Sequence, residues 1–193
     1  GMKSTIELVQ QYIPKQKTVG MNLFPYGPVL AWKAVQTAFE LSADMNLETA
    51  AGGAIRTKDL VQMADAFRPN IIAGMASYVA NRFLPMAARA HVKFPDKMLY
   101  INGSERMTEK DRQKIIELFK KMKVQPTILD FFGASELKSD VMPECSPGTG
   151  FHHLMPFSNI LKTVIAEKSK DRKYIDKWKF TPNEGRLAIW NIG

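Results

Sequence analysis

The most informative segment of the chain reads Thr127-Ile128-Leu129-Asp130-Phe131-Phe132-Gly133-Ala134-Ser135-Glu136. It begins with β-branched and apolar residues, as in a buried strand, and continues with an acid, two aromatic rings, a glycine, a hydroxyl and a second acid. In open α/β sheets, ligands bind outside the carboxyl ends of the parallel strands. This order of residue types therefore predicts a strand whose C-terminal end borders a nucleotide site.

The residues after the predicted strand each have a chemical use in such a site. The Phe132 ring can stack on a purine, and Gly133 lets a ligand approach the main chain closely. Ser135 can donate a hydrogen bond to a phosphate oxygen, and Glu136 offers the hard oxygen atoms that Mg²⁺ prefers. The pattern favours nucleotide binding with a magnesium ion.

Purely structural roles remain open for some of the same residues. Because Phe131 and Phe132 are adjacent, they point to opposite faces of an extended chain, so one of them belongs to the core. We expect Phe132 to be the one that faces the ligand. Asp130 could serve only as a strand-end cap, and Glu136 only as a first-turn acid of a helix.

The segment before this strand carries the clearest helical pattern in the chain. Residues Glu109 to Met122 place apolar side chains at helical spacing, with acids early and lysines late, as the helix dipole favours. Thr108 is the predicted N-cap of this helix. The strand that follows it is predicted to span Gln125 to Leu129.

The same alternation of strand and helix extends back through the chain. The predicted strands are Thr18–Phe24, Asn46–Ala50, Asn70–Ala73 and Met98–Ile101, and the predicted helices between them are Val29–Ser42, Lys58–Phe67 with Thr57 as N-cap, and Tyr78–Ala90 with a kink at Pro85. Strands separated by helices argue for βα repetition and a mainly parallel sheet. The predicted fold class is therefore α/β, a mainly parallel sheet flanked by helices and followed by a small antiparallel β extension.

The last fifty residues follow a different pattern, rich in proline and glycine. We predict strands at Thr163–Glu167 and Arg186–Ile192, joined by a charged loop over Lys168–Asn183. The predicted division is an N-terminal helix within residues 1–17, an α/β subdomain over 18–142, and an irregular and β extension over 143–193.

Cys145 and His152 introduce one more candidate site. Their side chains can ligate Zn²⁺, but two ligands leave a tetrahedral site incomplete, so Zn²⁺ is not expected here. The alternative is a buried free thiol and a surface histidine pair, His152 with the adjacent His153.

The composition limits the classes of function that the chain can have. The chain has 193 residues, 45% hydrophobic and 24% charged, which is ordinary globular usage. Its net charge of +8 comes from lysines and arginines spread over helix faces, so we expect no nucleic-acid partner. No apolar run approaches the length of a membrane span, and the single cysteine fits a reducing compartment. We expect a cytoplasmic protein without a membrane partner.

Three motifs in order resemble those of the adenylate-forming enzymes, the superfamily of acyl-CoA ligases. The segment Asp130 to Glu136 resembles the superfamily's aromatic-Gly-x-Thr/Ser-Glu signature, Asn102 to Glu105 is similar to its Gly-Ala-Glu loop, and Gly185 to Trp190 is similar to its Gly-Glu-Leu strand. The likeness is greatest to the phenylacetate-CoA ligase branch. Asn22 to Pro28 resembles the acyl-pocket entrance, with similarity to the adenylating proteins of phenazine antibiotic biosynthesis.

The resemblance implies roles for individual residues. Catalysis would fall to Glu136, which would hold Mg²⁺, and to Ser135, which would bind a phosphate oxygen. The residues implied for the nucleotide are Gly103, Ser104, Glu105, Asp130, Phe131, Phe132 and Gly133, and those implied for the acyl pocket are Tyr26, Gly53 and Ala54. The implied cofactors are ATP or AMP, Mg²⁺ and, for a ligase, CoA.

The implied reaction is ATP-dependent activation of a small carboxylic acid, with an aryl acid favoured by the aromatic opening around Tyr26. The superfamily's phosphate loop, ribose-binding aspartate and C-terminal domain have no counterpart in the sequence, so we expect the chain to need complementary segments, or a homodimer, and to be inactive alone. A non-catalytic binding or scaffold protein built on the same subdomain is the alternative. A dinucleotide-binding oxidoreductase is disfavoured because the Gly-x-Gly-x-x-Gly turn is missing.

Overall fold

The computed structural model describes residues 11–12, 17–27, 31–49, 54–134, 141–153, 159–168, 175–181 and 186–191. The strands in this part of the chain are β1 Val19–Asn22, β2 Met45–Glu48, β3 Ile71–Ala73, β4 Lys97–Asn102, β5 Gln125–Gly133, β6 Val141–Pro143, β7 Asn159–Lys168, β8 Ile175–Thr181 and β9 Arg186–Asn191. The helices are α1 Ala31–Ser42, α2 Thr57–Phe67 and α4 Glu109–Lys121, together with α3, which joins the segments Ala76–Tyr78, Val79–Phe83 and Leu84–Arg89.

Strands β1 to β6 form one sheet in the order β2-β1-β3-β4-β5-β6. The first five are parallel, and β6 pairs antiparallel with β5. The strand order reverses between β1 and β3, which makes their carboxyl ends the topological switch point of a doubly wound sheet. Strands β7 to β9 form a separate antiparallel sheet in the order β8-β7-β9. The fold class predicted from the sequence is confirmed.

Both faces of the parallel sheet are covered by helices. Alternate residues such as Met21, Ile72 and Tyr100 belong to a buried cluster shared with α2, α3 and α4. Their neighbours on the strands, among them Leu99 and Leu129, belong to a second cluster shared with α1. Because side chains alternate along a strand, near-continuous apolar runs are required when both faces are buried. This accounts for the strongly apolar strands in the sequence.

The helix α3 widens just before its proline. Its middle segment, Val79–Phe83, is π-helical, and Pro85 lies in the first turn of the α-helical segment that follows. A proline ring clashes with the carbonyl four residues earlier, and a wider turn relieves that clash. The helix accommodates Pro85 through this π-helical segment, and the kink expected there stays a prediction.

Of the two N-cap residues predicted from the sequence, the structure confirms one. The N-cap at Thr108 is confirmed, because its Oγ1 accepts a 3.1 Å hydrogen bond from the Asp111 main-chain N–H. The N-cap at Thr57 is wrong: Thr57 is the first helical residue, the cap position belongs to Arg56, and no side chain caps there. Arg56 instead reaches the carboxylate of Asp59 with its guanidinium, at 2.8 Å.

The loop predicted over Lys168–Asn183 is also wrong, because β8 occupies Ile175–Thr181 and β7 extends to Lys168. Strand β5 is longer than predicted, since it continues to Gly133 through its pairing with β6. The predicted N-terminal helix lies almost wholly outside the described residues. The proposed division of the chain into three parts stays a prediction.

Candidate nucleotide site

The candidate site lies at the carboxyl ends of β4 and β5. Asn102 and Asp130 are paired in the register of these two parallel strands, so their side chains emerge side by side on the same face. The loop after β4 carries Gly103, Ser104 and Glu105, and the end of β5 carries Phe131 to Gly133. The two sequence motifs are therefore brought to one edge of the sheet, as the parallel topology requires.

Asn102 holds this edge together. The residue is fully buried, and its Oδ1 accepts a 2.8 Å hydrogen bond from the Ala76 main-chain N–H. Its Nδ2 donates to the main-chain oxygen of Glu105 at 2.9 Å and to Oδ1 of Asp130 at 2.6 Å. One amide thus joins the start of α3, the loop after β4 and the end of β5, a role that the sequence analysis missed.

The Glu105 carboxylate caps helix α3. It accepts a 2.5 Å hydrogen bond from the main-chain N–H of Ser77 and a 2.9 Å bond from the Ser77 hydroxyl. A negative charge in the first turn of a helix is favourable because unpaired N–H groups and the helix dipole point at it. The carboxylate of Glu105 is therefore engaged within the protein by Ser77, and its main-chain oxygen by Asn102.

Asp130 is a buried acid in a largely unfavourable setting. Burial raises the pKa of its carboxyl above the ordinary value, and the nearby charge of Glu144 raises it further. Hydrogen bonds from the Asn102 side chain and the Met107 main chain, with the charge of Arg112, oppose that rise in pKa. The net effect of these competing influences is a raised pKa.

The two adjacent phenylalanines face opposite sides of β5, as predicted. Phe131 packs with the apolar cluster that contains Phe24 and Leu129. Phe132 lies against Phe151, with 5.8 Å between the ring centroids and 43° between the ring planes. A side chain built onto Gly133 would meet none of the described residues within 4 Å.

Gly103 and Ser104 shape the loop after β4. A methyl group on Gly103 would lie 3.4 Å from the Phe24 ring and 3.7 Å from the main-chain oxygen of Phe131. These contacts place the loop against both the end of β5 and the segment that follows β1. Ser104 has a φ of 63°, in the left-handed region.

The acyl-pocket residues are only partly described. Tyr26 is 51% exposed, and its ring stands 4.6 Å from that of Trp32, centroid to centroid. Ala54 lies in an exposed turn, and no described contact joins it to the edge at β4 and β5. Three predicted residues fall outside the described part of the chain: Gly53, Ser135 and Glu136.

Cys145 and His152 lie together, with 3.3 Å between Sγ and Nε2, and Thr149 Oγ1 lies 3.5 Å from the same sulfur. Among the described residues, no group of three or more histidine, cysteine, aspartate or glutamate side chains could hold a metal ion.

Three further polar residues that the sequence analysis did not single out lie around the site. Arg112 and Glu144 form an ion pair at 2.9 Å, with side chains that are only 14% and 6% exposed. The hydroxyl of buried Tyr100 donates a 2.9 Å hydrogen bond to the main-chain oxygen of Gly74, after β3. Burial, followed by the charges of Glu105 and Asp130, raises the pKa of Tyr100 well above its ordinary value, so the hydroxyl stays protonated.

The described surface also has depressions away from this edge. One of about 530 Å³ is lined by residues at the opposite end of the sheet, among them Asp96, Lys120, Lys123 and Pro126. Within the described residues, no helix is long and apolar enough to cross a membrane.

These features define a doubly wound α/β protein with a cluster of polar side chains at the carboxyl ends of β4 and β5. No protein-family model matches the chain, and no curated protein is similar to it. Solved structures do share the fold. A 2-hydroxyisobutyryl-CoA ligase in complex with 2-HIB-AMP and CoA superposes with a TM-score of 0.63 at 14% identity, over 86% of this chain and 34% of its own.

Two more neighbours carry nucleotides or adenylates. ATP-bound MatB from Rhodopseudomonas palustris has a TM-score of 0.60 at 11% identity and covers 98% of this chain and 35% of its own. McyG A-PCP complexed with phenylalanyl-adenylate has a TM-score of 0.59 at 13% identity, over 98% of this chain and 31% of its own. At these identities the likeness establishes the fold, and the chain spans about a third of the length of each neighbour.

Proposed function

We propose that the chain carries the nucleotide-binding part of an adenylate-forming enzyme, which activates a small carboxylic acid with ATP. The observation that supports this most directly is the meeting of Asn102, Glu105, Asp130 and Phe132 at one edge of the sheet. The neighbours that share the fold were solved with ATP, an acyl-adenylate or CoA.

In this proposal the purine lies beside the end of β5. Its face stacks on the Phe132 ring, the carboxylate of Asp130 accepts a hydrogen bond from its amino group, and the main chain of Gly103 to Glu105 borders its edge. The sugar lies beside Gly133, where a side chain would meet none of the described residues within 4 Å. Phe131 supports this edge from the core side.

The reaction is attack of a carboxylate oxygen on the α-phosphorus of ATP, with cleavage of the bond to the β-phosphate and departure of pyrophosphate. Ser135 would donate to a phosphate oxygen and Glu136 would hold Mg²⁺, whose charge offsets that of the phosphates. Little covalent chemistry falls to the protein, so positioning and charge neutralisation dominate catalysis. Thiolate attack by CoA on the acyl-adenylate would complete a ligase reaction.

The acid would lie near the switch point, bordered by Tyr26, Gly53 and Ala54. Strands are about 4.8 Å apart, so this point lies roughly 10–14 Å along the edge from β5. A methyl group on Gly103 would lie 3.4 Å from the Phe24 ring, so the two regions adjoin. The exposed Tyr26 ring beside Trp32 favours an aryl acid, as in the phenylacetate-CoA ligase branch or the phenazine adenylating proteins.

Because the chain spans about a third of its neighbours, the remaining contacts would come from other segments or a second chain. A non-catalytic binding protein on the same fold is the second candidate, and the engagement of Glu105 as a helix cap favours it.

The test is calorimetric titration of adenosine, AMP and Mg-ATP into the chain. Phe132→Leu keeps an apolar side chain but removes the aromatic face, whereas Phe67→Leu makes the same change at an exposed site on α2. Loss of one stacked base contact weakens nucleotide binding by about 1–3 kcal/mol, so Phe132→Leu should raise the Kd at least about fivefold. Phe67→Leu should leave the Kd unchanged.

Two results decide between the candidates. Inosine, which has a carbonyl in place of the purine amino group, should bind more weakly than adenosine if Asp130 accepts from that group. Equal binding by the Phe132→Leu and parent proteins, or no heat with any nucleotide at millimolar concentration, would reject the proposed site and favour the non-catalytic candidate.

A further inference from the structure

The carboxylate of Glu144 receives hydrogen bonds from three different parts of the chain. Its Oε2 accepts from Nη2 of Arg112 at 2.9 Å and from the main-chain N–H of Asp130 at 2.8 Å. Its Oε1 accepts from the same Nη2 at 3.0 Å and from the main-chain N–H of Gly148 at 3.0 Å. Arg112 in turn donates through Nη1 to the main-chain oxygen of Ile128, at 3.1 Å.

This carboxylate replaces a main-chain group in the sheet. The main-chain N–H of Glu144 donates to the oxygen of Asp130 at 2.9 Å, as in an antiparallel pair of strands. In such a hydrogen-bonded pair, the N–H of Asp130 would donate back to the main-chain oxygen of Glu144. Here the Glu144 side chain accepts that bond, so the chain can leave the sheet at Glu144 without stranding a buried donor.

The chain then turns back on itself. Residues 144–153, here called the return loop, form a bridge between Glu144 and Phe151, and the main-chain N–H of His152 donates to the Pro143 oxygen at 3.0 Å. Within the return loop, the Phe151 ring packs against the ring of Phe132. The position of Phe132 is thus tied to the loop that Glu144 holds.

We propose that Arg112 and Glu144 are positioning residues, which fix the end of β5 and the return loop so that Asp130 and Phe132 are presented to the nucleotide. Ion pairs this deeply buried contribute little net stability, because desolvation offsets the attraction, and apolar replacements are often neutral. What this pair does instead is hold two main-chain N–H groups, those of Asp130 and Gly148, through the Glu144 carboxylate. The link to nucleotide binding rests on the proposed function.

The test compares two double variants of the full chain. Arg112→Met with Glu144→Met removes both charges and keeps apolar bulk, whereas Arg56→Met with Asp59→Met does the same at the exposed ion pair on α2. Hydrogen exchange of the Asp130 and Gly148 amides, AMP affinity and urea unfolding are measured for each. A single Arg112→Lys variant, which keeps the charge but not the planar fork, should give intermediate exchange rates.

Loss of a hydrogen bond to a charged group should speed exchange of both amides at least about tenfold in the buried double variant. AMP should bind about tenfold more weakly, and the unfolding midpoint should fall, because the main-chain N–H groups of Asp130 and Gly148 lose their acceptor. The surface double variant should match the parent in all three measurements.

Unchanged amide exchange in the buried double variant would overturn the positioning role. Faster exchange with an unaltered AMP affinity would also overturn it, since the pair would then order only the loop. If the parent chain binds no AMP, the proposed function fails, and the exchange rates alone decide whether the pair fixes the strand end.

Discussion

Replacement of Asn102 by alanine should destabilise the protein more than any exposed substitution. The side chain makes three hydrogen bonds, to the Ala76 N–H, the Glu105 main-chain oxygen and the Asp130 carboxylate. Asn102 and Ala76 are both buried, so water cannot easily replace the amide. The Asn102→Ala variant therefore loses an N-terminal cap of α3 and a donor to a buried acid at once.

The expected magnitude follows from these contacts. A buried donor left without an acceptor costs about 1–3 kcal/mol, and a hydrogen bond to a charged group contributes about 1.5–3 kcal/mol. Glu105 is only partly buried, so its main-chain oxygen can be hydrated and adds little. The sum is about 2.5–6 kcal/mol, a large share of the roughly 5–15 kcal/mol that stabilises a domain.

Urea unfolding followed by circular dichroism measures this loss. Asn81→Ala is the matched control, because Asn81 lies on the exposed side of α3 and bonds to Ser77 and Lys114 at the surface. Asn102→Asp keeps the acceptor for Ala76 but sets a second carboxylate against Asp130, so its destabilisation should increase between pH 4 and pH 7. A loss below about 1 kcal/mol for Asn102→Ala would refute the reasoning, since even one stranded buried donor costs that much.

Three further predictions concern stability. Because the pKa of Asp130 is raised in the folded protein, its contribution to the free energy of unfolding is fully present below the unfolded pKa of about 3.9 and is lost as the pH rises through the folded pKa. The Asp130→Asn variant does not titrate there, so its free energy of urea unfolding should rise relative to that of the parent between pH 4 and pH 7. Parallel pH profiles for the two proteins would contradict this. Gly20→Ala places a methyl group 2.6 Å from Cδ2 of buried Phe39 and should cost about 1–3 kcal/mol, seen as a lower Tm; an unchanged Tm would show that the ring moves freely. Thr108→Ala should cost about 1 kcal/mol through the lost N-cap, and Thr108→Ser should restore most of it, so equal losses in the two variants would exclude capping as the cause.

The parallel sheet was predictable because its strands are marked by composition. Strand β3 and residues Met98 to Ile101 of β4 are buried and apolar, and the helices between the strands have regular apolar spacing. Strand β8 was not predictable for a local reason. Its register with β7 shifts between Glu167 and Lys168, so that Ile175 and Lys177 face successive residues of β7. The bulge breaks the period-two alternation on which strand prediction depends.

The meeting of the two motifs at one edge of the sheet was predictable, but the hydrogen-bond network there was not. The motifs at Asn102–Glu105 and Asp130–Gly133 follow strands, and parallel strands bring such segments to one edge. The partners within the network are far apart along the chain: Asn102 bonds to Ala76, and Arg112 to Glu144. The local sequence pattern carries no information about such distant pairs. The roles predicted for Ser135 and Glu136 stay predictions.

The charges at this edge also indicate which end of a nucleotide belongs there. Three carboxylates, those of Glu105, Asp130 and Glu144, belong to one connected network, and Arg112 is paired with the last of them. A triphosphate beside these groups would meet like charge in a partly desolvated setting, where repulsion is weakly screened. A purine amino group would instead meet acceptors. If the chain binds a nucleotide as proposed, the edge at β4 and β5 therefore suits the base better than the phosphates.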